Sequence, residues 1–79
     1  MTVGKYKIDE LLFMEYVVAI HSMQQHRSSK AYYIQAEKLR REIHDKLLAA
    51  SGINRDSKEY DGFQMALVIA IEEIHQGAA

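Results

Sequence analysis

The chain has 79 residues, no cysteine and a formal net charge of −1. That length suits one small domain rather than two. The missing cysteines exclude disulfides and thiolate metal sites, and the near-neutral charge excludes a globally basic nucleic-acid binder.

A domain of this size buries only about 60% of its unfolded surface, and folds below roughly 80 residues commonly need a staple. Without cysteine, the remaining routes are well-fitted helix packing or self-association. Charges among the first residues argue against a secretory leader. The longest apolar run, Met65 to Ile71, falls well short of the ~20 residues of a membrane span. A cytoplasmic protein without a membrane partner is therefore expected, and the absence of cysteine agrees with a reducing compartment. No tag-like or low-complexity segment is present, so the chain is expected to be a whole reading frame. Proline is absent and glycine occurs only at positions 4, 52, 62 and 77, so long helices meet few breakers.

A first helix is expected over about 7–25. Asp9 and Glu10 suit the positive end of its dipole. Its main apolar stripe is Ile8, Leu12, Tyr16, Ala19, Ile20 and Met23, widened by Phe13 and Val17, at the three- and four-residue spacing of one helical face. A second stripe, Leu11, Met14 and Val18, lies on the other side. A helix apolar on both sides is buried on both sides.

His26 to Lys30 reads as a polar turn. Ser28 or Ser29 is the expected N-cap of a second helix over about 29–51, its hydroxyl accepting from free backbone N–H groups. The expected seam is Tyr32, Ala36, Leu39, Ile43, Leu47 and Ala50, close to a coiled-coil pattern. Four pairs on the opposite face are opposite in sign and four apart: Glu37–Arg41, Lys38–Glu42, Arg41–Asp45 and Glu42–Lys46. Each is worth about 0.2–0.5 kcal/mol, and together they mark a solvated face.

Gly52 followed by Ile53 fits a Schellman stop, with Ile53 folding back onto Leu48. Asp56 and Glu59 form a capping-box variant, so a third helix is expected over about 57–76, with Gly77 to Ala79 as a frayed tail. Its main stripe is Tyr60, Phe63, Leu67, Ala70, Ile71 and Ile74. Gly62, Ala66 and Ala70 form a ridge of small residues that would admit another helix at close range. Met65, Val68 and Ile69 lie outside the main stripe, so the middle of this helix is apolar nearly all round. Short connections between consecutive helices favour an all-α, up-down-up three-helix bundle.

Catalytic chemistry is poorly served. There is no Gly-x-Ser-x-Gly elbow and no glycine-rich phosphate loop, and a bundle this small has little room for a cleft around a tuned acid or base. His21 and His26, five apart, do not stack on one helical face. Glu72-Glu-Ile-His75 resembles the carboxylate–histidine step of ferritin-like di-iron bundles, which need a second copy and further glutamates. His44-Asp45 resembles the paired step of HD-type phosphohydrolases, whose longer chains carry more histidines and aspartates. The four histidines are read as surface groups near helix ends, and neither metal nor cofactor nor enzymatic activity is expected.

Two kinds of partner remain. From Arg27 to Lys46 six basic residues face three acidic ones, and from Leu47 onward two face five. Arg27, Lys30, Lys38, Arg40 and Arg41, with Tyr32 and Tyr33 for stacking, form the candidate contact for nucleic acid or for a small anion held between subunits. The apolar excess points more strongly to protein. Leu11, Met14, Val18, Met65, Val68 and Ile69 exceed what three helices bury, unless helix one is sandwiched between the other two. Large exposed apolar patches mark binding sites, so these six are the candidate interface. The expected function is a non-enzymatic regulator or inhibitor that forms a homodimer or larger oligomer and binds a larger protein. Tyr60-Asp-Gly-Phe-Gln-Met-Ala-Leu67 resembles short phage-encoded reading frames, which implies an accessory factor of bacterial or phage type and assigns no role to any residue.

Overall fold

A computed structural model describes residues 1–77; of the expected frayed tail, Gly77 is instead the last residue of the third helix, and the rest lies outside the described residues. Three helices dominate, α1 (Glu10–Gln25), α2 (Lys30–Ser51) and α3 (Tyr60–Gly77), preceded by a small antiparallel hairpin, β1 (Thr2–Val3) and β2 (Tyr6–Lys7).

The hairpin corrects the expected start of helix one. Thr2 pairs with Lys7 and Val3 with Tyr6. Gly4 and Lys5 form the two-residue turn, and only Gly4 has positive φ, +58°. That is the pattern of a II′ hairpin turn, whose first central residue is glycine. β-branched and aromatic residues on either side of Gly4 fit a pleated surface. Ile8, assigned to the helix by its spacing, is instead a buried residue of the hairpin's return, and its N–H donates to the Met1 carbonyl at 2.9 Å. Asp9 then caps α1, its carboxylate accepting from the Leu12 N–H at 3.0 Å.

Ser29 is the N-cap of α2, with extended backbone, but its hydroxyl makes no capping bond. The other end follows expectation. Gly52 is left-handed, its N–H donates to the Ala49 carbonyl, and Ile53 N–H reaches Leu48 at 3.0 Å, which is the bonding of a Schellman stop. The third helix begins later than its spacing suggests. Asn54 Oδ1 accepts from Asp56 N–H and Ser57 Oγ from Glu59 N–H, so two side-chain-held turns occupy the segment and Asp56 does not cap the helix.

The core joins all four pieces: Val3 and Ile8 from the hairpin, Phe13, Tyr16 and Ala19 from α1, Ile43, Leu47 and Leu48 from α2, and Phe63, Leu67 and Ile71 from α3. Phe13, Phe63, Leu47 and Leu67 are its fully buried centre. On α2 the seam is rotated from the expected one. Ala36, Ile43, His44, Leu47 and Leu48 are buried, whereas Tyr32, Leu39 and Ala50 are exposed. A straight helix turns 3.6 residues per turn, so a 3.5-residue seam drifts off the face that meets two neighbours at once.

The small-residue ridge of α3 receives the hairpin rather than a helix. A Cβ on Gly4 would lie 3.3 Å from the Ala66 Cβ, and one on Gly62 would lie 2.9 Å from the Tyr6 hydroxyl oxygen. The Tyr6 ring meets Phe63 edge-on, centroids 5.3 Å apart, a favoured aromatic geometry. Helices α1 and α2 share the most extensive backbone contact, while the backbone of α3 comes close to β1.

Gly4 and Gly52 therefore separate two costs. Gly52→Ala meets no atom within 4 Å and bears only the left-handed penalty of about 1–2 kcal/mol. Gly4→Ala bears the same penalty and also presses on Ala66, so urea unfolding will show the larger loss for Gly4→Ala. Phe63→Ala, at the fully buried centre, will cost about 3–5 kcal/mol, readable as a shifted or lost thermal transition by circular dichroism.

Candidate functional site

All six residues of the expected protein interface are exposed, from Leu11 at 71% to Met14 at 48%. Because Phe13, Tyr16 and Ala19 face the core, residues 11, 14 and 18 fall on the opposite side of α1. The sandwiched arrangement of helix one is thus not adopted. Met14 and Val18 line a shallow groove with Glu15 and with Leu39 and Ile43 of α2; the outward rotation of Leu39 completes this apolar strip. On α3, Met65 and Ile69 line a second open groove against the hairpin, together with Met1 and Ile74. Val68 is exposed but lines neither groove. Leu11 also lines neither, so Met14 and Val18 border one groove and Met65 and Ile69 another.

The expected basic face divides as well. Of the four expected ion pairs only Glu37–Arg41 forms among the described residues, with Arg41 Nε donating to Glu37 Oε1 at 2.8 Å. Arg40 reaches the same oxygen at 3.8 Å. Asp45 is taken instead by Arg55 from the α2–α3 turn. The hydrogen bond and the charge of Asp45 push the Arg55 pKa further above its ordinary value, so its guanidinium stays charged. Arg40 and Arg41 line a polar cleft with His44, Asp45, Arg55, Tyr60 and Gln64. Arg40 also borders a neighbouring pocket that holds Arg27 and Tyr33. Lys30 and Lys38 line neither space. Tyr32 lies beside His26, ring centroids 5.4 Å apart. Arg55 escaped the sequence reading because it lies outside the basic stretch; the fold alone carries it back to α2.

His44 overturns the expectation of surface histidines. It is 4% exposed, and its Nε2 lies 2.6 Å from Gln64 Oε1, an acceptor that calls for a proton on Nε2. Its ring lies between Tyr16, at 5.8 Å, and Tyr60, at 6.3 Å. A seam through 39, 43 and 47 leaves position 44 outside; a wider stripe includes it. His21 and His75 are exposed and His26 is half-buried. Among the described residues no three histidine or carboxylate side chains gather as metal ligands, and no helix is long and apolar enough to cross a membrane.

The arginine pairs at the cleft are solvated, and exposed pairs contribute about 0.2–1 kcal/mol. Arg41→Gln and Arg55→Gln will each leave the urea midpoint almost unchanged. No family model, curated protein or solved structure matches the chain.

Proposed function

We propose that this chain is a non-enzymatic helical interaction module that self-associates and binds a larger protein as a small regulator. The observation that carries this reading is the exposure of Leu11, Met14, Val18, Met65, Val68 and Ile69 around a core already filled by Phe13, Phe63, Leu47 and Leu67. These apolar side chains each leave about half or more of their surface in water in the isolated chain. Covering them gains about 25 cal/mol for each Å² of apolar surface removed from water. Met14 and Met65 add flexible, polarisable side chains that adapt to a partner's surface. Two separate grooves allow one to take a second copy and the other a different protein.

The test is solution mass by light scattering over a range of concentrations, with Leu11→Glu and Ile69→Glu as separate variants. The wild type is expected to be a dimer or larger. At least one variant should dissociate more than about tenfold more readily, a change of about 1.4 kcal/mol, while circular dichroism stays helical. A monomeric wild type, or two folded variants of unchanged mass, removes self-association. Dissociation of Ile69→Glu places the contact at the hairpin groove, and dissociation of Leu11→Glu places it on the outer face of α1.

A further inference from the structure

We propose that the polar cleft between α2 and the start of α3 binds the phosphate group of a small phosphate monoester, with Arg40, Arg41 and Arg55 as its donors. Arg40, Arg41 and Arg55 line one concavity of about 390 Å³, within the roughly 300–1,000 Å³ of small-molecule sites. They come from two elements, and the fold brings Arg55 to the other two. Two carboxylates, Glu37 and Asp45, are their ion-pair partners, so the three arginines outnumber the carboxylates they pair with.

Pairing does not exhaust these arginines. A guanidinium has five N–H donors. Arg41 spends its Nε on Glu37, Arg55 one terminal nitrogen on Asp45, and Arg40 has only a 3.8 Å contact. The carboxylates hold the groups in place, while the remaining N–H donors stay available for the paired bonds that suit phosphate. The buried His44, held by Gln64, makes a wall already ordered without ligand, which lowers the entropy lost on binding. Tyr60 lines the same cleft and offers an aromatic surface to a base or aryl group carried by the phosphate.

The experiment is an NMR titration of the whole chain with inorganic phosphate, adenosine monophosphate and a single-stranded thymidine decamer. Phosphate and the mononucleotide should both move the side-chain resonances of Arg40, Arg55 and Gln64, and the mononucleotide should also move the Tyr60 ring. Arg40→Gln and Arg55→Gln should each weaken binding about tenfold, whereas Lys38→Gln, outside the cleft, should leave it unchanged. Arg55 sits on an exposed turn, so its variant decides the matter should Arg40→Gln unfold. No shift at millimolar ligand overturns the proposal. So does an equal loss for Lys38→Gln, which means diffuse attraction, or a response to the decamer alone, which means a polymer site.

Discussion

The hairpin rests on α3 at a distance that only small side chains permit. Gly4 approaches Ala66, and the Tyr6 hydroxyl sits over Gly62. This close seat sets Tyr6 against Phe63 and delivers Val3 and Ile8 to the same cluster as Phe13 and Leu67. A three-helix core of this length is marginal, and there is no disulfide to help it. The first eight residues act as the staple, through apolar contact rather than a covalent bond. They also commit α3: its small face is taken by the hairpin, its large inner face by α1 and α2, and Met65 and Ile69 remain outside along the rim of the hairpin groove.

The rotation of α2 has two consequences at once. Turning Leu39 outward extends the apolar strip begun by Met14 and Val18 on α1. Turning His44 inward builds the wall of the polar cleft. A buried histidine is tolerated because its Nε2 meets Gln64, as a buried polar atom requires, and its ring packs near two tyrosines. Arg40 and Arg41 precede it on the same helix, and Arg55 closes on Asp45 from the turn. The apolar strip and the cationic cleft thus lie on different sides of α2, the first shared with α1 and the second with the α2–α3 turn and the start of α3.

Local patterns explain what could be read in advance. The Schellman stop at Gly52, the polar turn after α1 and the three long periodic stretches depend on neighbours a few residues apart, so composition and spacing specify them. The hairpin was less legible because the charges of Lys5 and Lys7 mask a short alternation of Val3, Tyr6 and Ile8 around Gly4. The start of α3 lies later than its spacing suggests because Asn54 and Ser57 spend their side chains on turns, competing with the helix for the same backbone donors.

From the sequence came the mainly helical class, the approximate helices and the surplus of apolar side chains at Leu11, Met14, Val18, Met65, Val68 and Ile69, because periodicity fixes which residues share a face. Tertiary structure decided which neighbour covers each face. It gave the small ridge of α3 to the hairpin, buried His44, freed Leu39 and drew Arg55 to Arg40 and Arg41. Those outcomes rest on contacts between residues far apart in the chain, where packing of the whole core sets the rotation of each helix and no local pattern records it.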